Sequence, residues 1–534
     1  MDQKPTVSRR SILKAAAATA IPLKLLPQKQ KPLRCINIVN FIRAVEPREA
    51  MDLFEPVQKQ MATIKRHNLP ATWLLQYDAM VRGPFVDFLK ANMPKKHEVG
   101  LWFEMNEEHC NAAGVKWRGR QNYEWDWSPS VAFTLGYTPE ERYKLVDAAC
   151  KKYRELWKSY PKSVASWNLD SLTINHFVEK YGVEAFAVCR DQIATDGFTI
   201  WGAPIAGYFP SKTNCWSPAV EKQNQINAPV LRMLGQDPVY YYQREYPLPD
   251  GKTSTAPDTM EPAWPSGQSP VFVERFLKMI AENPTGEFAY AQLGQENSFG
   301  WSSMAKGYEL QMDALTKLKG VDIETMGQTG RKFTQRFRQT PVQAQVQLQD
   351  PFGHTSPAER TVWYQSRSYR ANLHFDGDTA FFRDITVYSD KNPQPFLTEP
   401  TTDTNVEQRE PAILDGYHWQ GSGRFKRNGQ EVRVKGLHIK DRGKALFVDC
   451  GSFSCLFDER TISVYGDVVL DFEWDKARTT FVGVDRADAK YKVGGFDYRA
   501  RVLVGEPKPT ETGWRIKPWT GEFVLSFASA SGEY

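Results

Sequence analysis

The sequence has few histidines, and they are not arranged as metal ligands. Eight histidines occur in 534 residues, and no two of them show the HxH, HxxxH or HExxH spacing of zinc sites. His97 precedes a predicted strand, which would place it at the end of an α/β barrel opposite the active site. The sequence therefore predicts no metal and no cofactor, although a calcium site built only from aspartate and glutamate stays open.

Several other features are missing. No GxGxxG, Walker or GxSxG sequence occurs in a strand–turn–helix context, which disfavours nucleotide and serine-hydrolase chemistry. No segment reaches the roughly 18 uninterrupted apolar residues of a membrane-spanning helix. The seven cysteines show no zinc, redox or haem spacing. Cys450 and Cys455 are compatible either with a disulfide across a tight bend or with two buried thiols.

The first 30 residues are predicted to be an export leader. Ser8–Lys14 contains a twin-arginine motif, an alanine-rich stretch follows, and Ala18-Thr19-Ala20 provides a small-x-small site for cleavage after Ala20. Six basic residues against one aspartate in this leader account for the whole formal net charge of +5. The mature chain is therefore nearly neutral, which gives no electrostatic basis for nucleic-acid binding. We expect a periplasmic or secreted protein.

Residues 31–335 alternate short apolar runs with amphipathic helical stretches. Predicted strands cover Ile36–Phe41, Ala71–Gln76, His97–Glu104, Ser163–Trp167, Ala185–Cys189, Pro229–Met233 and Glu287–Leu293, with helices such as Glu49–His67 and Pro139–Ser159 between them. Repeated strand–helix alternation predicts parallel strands joined by right-handed crossovers. The predicted fold class is α/β, with an incomplete (β/α)7-type barrel.

The pattern changes in residues 336–534, where strand-like runs are separated by Gly, Asp and Pro turns. Val342–Leu348, Glu431–Ile439 and Val468–Phe472 are examples of these runs. Few helical stretches interrupt them, which favours an antiparallel β-sandwich. The chain is thus predicted to contain a leader over 1–30, a barrel domain over 31–335 and a sandwich domain over 336–534.

Carboxylates follow four predicted barrel strands, at the end where barrel enzymes carry their active sites. Glycoside hydrolysis needs two of them, one to protonate the leaving oxygen and one to attack the anomeric carbon or activate water. The catalytic candidates are Glu296, Asp196, Asp191 and Glu104. We expect Glu296 to be essential and Asp196, beside a glycine, to be its partner. A single carboxylate of this kind is more often a helix cap or a loop salt bridge, and the functional interpretation rests on several of them meeting with aromatic residues at one end of the barrel.

Sixteen tryptophans are available either to stack on sugar rings or to fill two cores. The predicted substrate-binding residues combine such rings with polar groups at strand exits and in the insertion 116–133. They are Asn40, Arg43, Trp102, Arg118, Trp125, Trp127, Trp167, Asp170, Trp201, Asn297 and Trp301. The insertion is expected either to form a wall for sugar stacking or to pack against the barrel mouth. The predicted ligand is an oligo- or polysaccharide.

Two phrases in the barrel segment carry a resemblance to a known group. Leu69–Trp73 (LPATW) and Lys96–Trp102 (KHEVGLW) resemble the "PATF" and "HEIGxH" phrases of the polysaccharide-deacetylase (NodB-homology) barrel. The order of elements over about residues 33–320 is similar to that group, and to mannosidase-type and amylopullulanase-type glycoside hydrolases with seven-stranded barrels. The resemblance implies the barrel fold and a carbohydrate substrate.

The chain departs from the deacetylase pattern at the metal site. Its first strand ends Asn40-Phe41-Ile42-Arg43, where deacetylases have an Asp-Asp pair, and Trp102 and Asn106 stand where their metal-binding histidines would be. Three further phrases, 116–120 (KWRGR), 195–201 (TDGFTIW) and 294–301 (GQENSFGW), resemble a family of secreted bacterial proteins that pairs such a barrel with a β-sandwich. The leading hypothesis is a metal-independent glycoside hydrolase. The alternatives are a glycan-binding protein on a degenerate barrel and a metal-dependent polysaccharide deacetylase.

Overall fold

A computed structural model of the chain describes residues 31–189, 198–200, 206–240, 246–247, 253–254, 258–353, 359–408, 412–414, 421–473, 484–485, 488–493 and 496–529. The predicted leader, with its export motif and cleavage site, lies outside these residues, so export stays a prediction. The predicted domain limits at 30/31 and 335/336 also stay predictions.

The first sheet is built from parallel strands that follow one another along the chain. The strands of this half are β1 (Leu33–Ile42), β2 (Thr72–Leu75), β3 (Glu98–Trp102), β4 (Ser163–Ala165), β5 (Ala185–Val188), β6 (Phe198–Ile200), β7 (Gly207–Tyr208), β8 (Val230–Arg232), β9 (Tyr246–Pro247), β10 (Thr253–Ser254), β11 (Phe288–Leu293) and β12 (Asp322–Glu324). Seven of them run parallel in the order β11-β1-β2-β3-β4-β5-β8, and β7 closes the row antiparallel to β8. The sheet is a nearly closed barrel, which confirms the predicted fold class.

Helices cover the outside of this sheet. They span Phe54–Arg66, Tyr77–Val81, Phe85–Asn92, Glu107–Ala113, Pro129–Ala132, Pro139–Trp157, Ser171–Tyr181, Pro270–Ala281, Trp301–Lys317 and Met326–Arg336, with single 3-10 turns at Thr134–Gly136, Lys222–Asn224 and Ser266–Gln268. The longest helix begins at a capping box in which Thr138 and Glu141 satisfy each other's backbone N–H groups, with proline at the first helical position. Among the helices described, none is long and apolar enough to cross a membrane.

The remaining strands lie in the second half of the chain, and all of them except β17 belong to two antiparallel sheets. They are β13 (Gln343–Gln347), β14 (Arg360–Gln365), β15 (Tyr369–Asp376), β16 (Thr379–Val387), β17 (Val406–Gln408), β18 (Ala412–Leu414), β19 (Ser422–Arg427), β20 (Gln430–Glu431), β21 (His438–Asp441), β22 (Leu446–Asp449), β23 (Ser454–Phe457), β24 (Thr461–Tyr465), β25 (Val469–Glu473), β26 (Val484–Asp485), β27 (Asp488–Val493), β28 (Phe496–Val504), β29 (Glu506–Pro509), β30 (Gly513–Lys517) and β31 (Glu522–Ser529). One sheet contains β13 to β16, and the other contains β21 to β24 with β31. Apolar side chains such as Leu373, Phe382 and Phe457 are fully buried in a second core. This arrangement confirms the predicted sandwich.

The barrel and the sandwich are joined by direct contacts. The guanidinium of Arg142, on the longest barrel helix, donates hydrogen bonds to the carbonyl oxygens of Phe396 (2.6 Å) and Leu397 (2.8 Å). The Gly207 N–H of β7 donates to Gln343 Oε1 of β13 at 3.1 Å, and β6 pairs in parallel with β17. The sandwich therefore packs directly on the side of the barrel.

Buried histidine and cysteine side chains have structural environments. His97 lies just before β3, where Trp73 Nε1 donates to its Nδ1 at 3.1 Å and its Nε2 lies 3.0 Å from the Leu69 carbonyl. Burial lowers the pKa of His97 to about 4, so the ring is neutral near pH 7. All seven cysteines fall within the described residues and are buried, and Cys450 and Cys455 do not form a disulfide with each other.

Candidate active site

The carboxyl ends of β1, β3 and β11 bring a group of charged side chains together. Because parallel strands of a barrel end at the same rim, residues just after different strands become neighbours there. Arg43 follows β1, Glu104 lies two residues beyond β3, and Glu296 lies three residues beyond β11. These three side chains converge, although they are far apart in the sequence.

Arg43 is the centre of this group. Its Nη2 lies 3.2 Å from Glu104 Oε2 and 3.1 Å from Glu296 Oε2, and its Nη1 lies 3.6 Å from Glu46 Oε2. The side chains of Arg43, Glu46 and Glu104 are at most 2% exposed, whereas that of Glu296 is 9% exposed. We call these four residues the arginine cluster. Glu296 is therefore the most exposed member of the cluster.

The cluster has an excess of negative charge that a second arginine partly offsets. Arg48 Nη2 lies 2.6 Å from Glu46 Oε2, and Arg48 Nε also donates to Glu46 Oε1 at 2.7 Å. Burial alone would raise the pKa of Glu46, but the hydrogen bonds from Arg48 and the charge of Arg43 hold that pKa below its ordinary value. Glu46 is therefore ionised near neutral pH, and its carboxylate forms ion pairs with both arginines.

Two predicted stacking residues, Trp102 and Trp167, are instead part of the barrel interior. The Trp102 ring stacks on Phe41 with centroids 3.8 Å apart, and Trp167 packs edge-on against both rings at 5.4 and 5.7 Å. Trp102 and Trp167 are 2% and 7% exposed. Trp102 also donates its indole N–H to Glu104 Oε2 at 2.9 Å. Both tryptophans fill the core below the rim, and Trp102 also orients Glu104. We therefore do not propose that they contact a sugar.

Asn40 and Asn297 connect the exits of β1 and β11. Asn40 Oδ1 accepts hydrogen bonds from Tyr308 OH (2.8 Å) and from the Gln295 N–H (3.3 Å). Asn297 Oδ1 accepts from the Arg43 N–H at 3.0 Å, and its Nδ2 donates to the Arg43 carbonyl at 2.8 Å. Both amides are fully buried. They hold the backbone that carries Arg43 and Glu296, and Asn297 is a positioning residue of the arginine cluster.

The carboxylate of Asp170 caps a helix. Its Oδ1 accepts from the backbone N–H groups of Leu172 (2.9 Å) and Thr173 (3.1 Å) at the start of Ser171–Tyr181 and lies 3.1 Å from Arg142 Nη1. Its Oδ2 accepts from the Thr173 hydroxyl at 2.6 Å. Both oxygens are used, and the side chain is fully buried. Asp170 is thus a helix cap, and the prediction that it binds substrate has no support in this geometry.

Arg118, in the insertion 116–133, pairs with a residue of the helix Pro139–Trp157. Its Nη2 lies 3.0 and 2.7 Å from the two carboxylate oxygens of Glu141, and its guanidinium lies over the Tyr137 ring at 4.4 Å. Arg120 makes a similar pair with Asp126, at 2.8 and 3.2 Å. The Arg118 contacts attach the insertion 116–133 to the start of the helix Pro139–Trp157, and the Arg120 pair lies within the insertion. Arg118 therefore has a structural partner.

The two tryptophans of the insertion have different environments. Trp125 is 1% exposed, and its ring lies under the guanidinium groups of both Arg43 (4.3 Å) and Arg48 (4.8 Å). Trp127 is only partly buried and lies against Arg120, with the ring centroid 4.4 Å from the guanidinium carbon. Trp125 therefore packs against the barrel mouth, and Trp127 is the ring of this pair that stays accessible to a ligand.

Alanine substitutions of these two tryptophans should accordingly have different effects. Trp125→Ala removes a buried ring and should lower the free energy of unfolding by about 3–5 kcal/mol. Trp127→Ala should lower it by only about 1 kcal/mol, while weakening glycan binding. Urea denaturation measures the change in the free energy of unfolding. Isothermal titration calorimetry with a glycan that the wild type binds measures the change in affinity. Trp125→Phe is the matched control, and equal losses of stability in both alanine variants would contradict this assignment.

Three predicted residues, Asp191, Asp196 and Trp201, lie outside the described residues, and their roles stay predictions. Trp301 is described, and it begins the helix Trp301–Lys317 with its ring edge-on to Tyr308 at 5.7 Å. It is partly exposed, so it remains a candidate for contact with a ligand.

Two acidic residues near the rim were missed by the sequence analysis. Asp78 Oδ2 accepts from the backbone N–H groups of Ala44 and Val45, both at 2.9 Å, and burial raises its pKa to about 6 despite these hydrogen bonds. Glu261 lies in the loop before the helix Pro270–Ala281 and accepts from Gln295 Nε2 at 3.2 Å. Asp78 lies three residues beyond β2, as Glu296 does beyond β11, but the sequence analysis did not select it. Glu261 does not follow a barrel strand directly, and so the strand-exit rule could not select it.

Some buried polar atoms at the strand exits have no hydrogen-bond partner within the described structure. They include both side-chain polar atoms of Asn168, Ser166 Oγ, Asn106 Nδ2 and Gln76 Oε1. Leaving such an atom unsatisfied costs about 1–3 kcal/mol, so these atoms favour a hydrogen-bonding ligand or water beside them. The exits of β2, β3 and β4 therefore add polar character to the rim that carries the arginine cluster.

The positions of the deacetylase histidines carry other contacts in this chain. Trp102 is packed on Phe41, and Asn106 caps the helix Glu107–Ala113 by accepting from the His109 N–H at 2.8 Å. Across the described residues, no group of three or more His, Cys, Asp or Glu side chains is placed to hold a metal ion. The residues at these positions do not fit the deacetylase metal site.

The structure was compared with solved structures. A candidate glycoside hydrolase/deacetylase from Parabacteroides distasonis aligns with 71% of this chain and 91% of its own, with a TM-score of 0.52 and 14% identity. Polysaccharide deacetylases assigned in Mycobacterium smegmatis and Pseudomonas aeruginosa each cover 57% of this chain and 92% of their own, with TM-scores of 0.34 and identities of 10% and 12%. No protein-family model and no curated protein sequence matches this chain. The expected resemblance to the polysaccharide-deacetylase and glycoside-hydrolase barrels is confirmed for the fold.

Proposed function

We propose that this chain is a carbohydrate-active enzyme, and specifically a glycoside hydrolase that works with carboxyl groups at the carboxyl end of its barrel. The observation that carries the proposal is the arginine cluster, in which Glu296 is held 3.1 Å from Arg43 and is the most exposed of three glutamates. The barrel of the Parabacteroides distasonis protein, which is named as a glycoside hydrolase/deacetylase, supports a carbohydrate as the substrate class.

The chemistry assigned to Glu296 is that of the second carboxylate of a glycosidase. In its ionised form it attacks the anomeric carbon directly or removes a proton from the water that does so. Arg43 fixes the position of this carboxylate, and Glu104 and Glu46 fix the position of Arg43. Glu104, fully buried behind Trp102, is a positioning residue in this proposal and does not contact the substrate.

The same cluster also favours a second candidate, a glycan-binding protein. An ion pair with Arg43 can stabilise the rim without any chemistry, because a carboxylate held this way is a common structural feature. The two candidates differ in one measurement, which is the cleavage of a glycan that binds. A metal-dependent deacetylase is the third candidate, and the contacts of Trp102 and Asn106 argue against it.

The proposed enzyme is independent of metal, because the histidine spacing offers no ligand set for a transition ion. We therefore expect that dialysis against EDTA leaves both the rate of glycan cleavage and the melting temperature unchanged. Elemental analysis of the purified protein measures its metal content. Stoichiometric zinc, or activity that EDTA abolishes and zinc restores, would revive the deacetylase hypothesis.

A further inference from the structure

Glu261 is a carboxylic acid that shares the surroundings of Glu296. Gln295 Nε2 donates to its Oε1 at 3.2 Å, and Thr259 Oγ1 donates to its Oε2 at 3.1 Å. Gln295 immediately precedes Glu296, and the Ala263 N–H donates back to Gln295 Oε1 at 3.4 Å. The loop 258–269 is therefore fastened to the exit of β11, which brings a second carboxyl group into the electrostatic neighbourhood of Glu296.

The two acids have different electrostatic environments. Burial, and then the negative charge of Glu296, raise the pKa of Glu261 to about 7 against the hydrogen bonds from Gln295, Thr259 and Trp264. Glu296 lies beside the Arg43 guanidinium, 3.1 Å from its Nη2. A carboxyl group that holds its proton up to about pH 7, near a carboxylate that is paired with a cation, is the arrangement of an acid and a base.

An exposed aromatic surface adjoins Glu261. Trp264, three residues further along the same loop, is 48% exposed, and its ring meets Phe299 edge-on at 5.9 Å. Phe299 is itself partly exposed and follows Glu296 by three residues. A half-exposed indole beside a carboxyl group offers an apolar face for a pyranose ring, with the acid at the edge of that ring. The pair of Trp264 and Phe299 therefore marks one side of Glu261 as a sugar-binding surface.

We propose that Glu261 is the general acid of the site and that Trp264 binds the sugar that leaves. This proposal rests on the proposed glycoside hydrolase function. Glu261 transfers its proton to the glycosidic oxygen as the bond from that oxygen to the anomeric carbon breaks, and the electron pair of the bond stays on the oxygen. Water supplies the hydroxyl group of the new reducing end and returns one proton to the carboxyl groups. Overall, one water molecule adds across one glycosidic bond.

Aryl glycosides with good and poor leaving groups test this role. We would assay wild type, Glu261→Gln and the surface control Glu274→Gln on 2,4-dinitrophenyl and phenyl glycosides of glucose, galactose, mannose, xylose and N-acetylglucosamine. Glu261→Gln should lower kcat/KM for the phenyl glycoside by about 10²–10⁴-fold. It should change kcat/KM for the dinitrophenyl glycoside by less than about tenfold, because that leaving group departs without a proton. Glu274→Gln should match wild type on both.

The pH profile and the aromatic surface provide independent measurements. Wild-type kcat/KM on the phenyl glycoside should fall above about pH 7, as Glu261 loses its proton, and Glu261→Gln should lack this fall. Trp264→Ala should raise KM for an oligosaccharide substrate, because it removes the ring that binds the leaving sugar. If Glu261→Gln does not fold, Glu261→Asp serves in its place, and it should slow the phenyl glycoside more than the dinitrophenyl one.

The outcomes separate this proposal from the one on which it rests. An equal loss on both leaving groups, or a Glu261→Gln variant that keeps the fall in activity above pH 7, would overturn the role of Glu261 while leaving glycoside hydrolysis intact. If wild type cleaves no glycoside of the panel and no polysaccharide, the proposed function itself fails, and Glu261 has no role as an acid.

Discussion

Glu296→Gln is expected to abolish turnover and to leave glycan binding intact. Glutamine keeps the size and one oxygen of the side chain but can neither attack an anomeric carbon nor take a proton from water. We expect kcat to fall by at least about 10²–10⁴-fold, the range in which acid–base and related side-chain catalysis contributes. Reducing-end assays measure turnover, and titration calorimetry with the same glycan measures binding.

The control for this experiment is a glutamate of the surface. Glu274 is exposed and pairs with Lys278 on the same helix at 2.6 Å, so Glu274→Gln changes the charge by the same amount without touching the rim. It should retain wild-type turnover. A Glu296→Gln protein that folds and cleaves glycan at the wild-type rate would show that the catalytic assignment is wrong.

The second large effect is expected from Arg43→Met, which removes a cation that Glu46, Glu104 and Glu296 share. Removing one member of a buried ion pair costs about 3–5 kcal/mol, because the remaining charge stays buried without compensation. We expect the free energy of unfolding to fall by at least that amount at pH 7, and turnover to be lost. Urea denaturation followed by tryptophan fluorescence measures the change.

The sign of the pH dependence provides a specific check on Arg43→Met. Without the guanidinium, the pKa values of the buried carboxyl groups in the folded state should lie above those in the unfolded state. The loss of stability caused by Arg43→Met is then fully present above the pKa values of the folded state, and it decreases as the pH falls through them. The stability difference from wild type should therefore shrink between pH 7 and pH 5.

Arg48→Met is the matched control for the cluster. Arg48 is 38% exposed and its ion pair is with Glu46 at the edge of the cluster, so its loss should cost about 1 kcal/mol or less. Equal stabilities of Arg43→Met and Arg48→Met, or a penalty for Arg43→Met that grows as the pH falls, would contradict the charge arrangement described above.

The fold was predictable from local patterns because strands and helices leave periodic apolar signals. The seven predicted barrel strands coincide with β1, β2, β3, β4, β5, β8 and β11, and their limits differ by a few residues. β1, for example, covers Leu33–Ile42, whereas the apolar run predicted Ile36–Phe41. Residues 33–35, which precede the predicted run, pair with β11. A pairing between distant segments leaves no pattern within either segment of the sequence.

The site was predictable only in part. The rule that strand exits share one rim selected Arg43, Glu104 and Glu296, and these residues do meet. It could not select Glu261, because the loop 258–269 is brought to the rim by tertiary contacts such as that of Gln295. A carboxylate in a loop has no local feature that distinguishes it from a solvated one.

Residue type alone also could not separate buried rings from exposed ones. Trp102, Trp125 and Trp167 were predicted to stack on sugars, yet they are at most 7% exposed, whereas Trp264 is 48% exposed and was not selected. Tryptophan serves both roles, and only packing decides between them. Asp170 is different, since it immediately precedes the helix Ser171–Tyr181, and aspartate is a preferred residue at that N-cap position.

Product analysis of glycans cleaved by wild-type protein tests the central claim most directly. A panel of polysaccharides, with and without acetyl groups, would be incubated in ¹⁸O-labelled water in the presence of EDTA, and the products analysed by mass spectrometry. Glycoside hydrolysis predicts new reducing ends, each with one labelled oxygen at the anomeric carbon, and no release of acetate. Glycans that bind without cleavage would contradict the account in favour of a binding protein, and release of acetate without new reducing ends would contradict it in favour of a deacetylase.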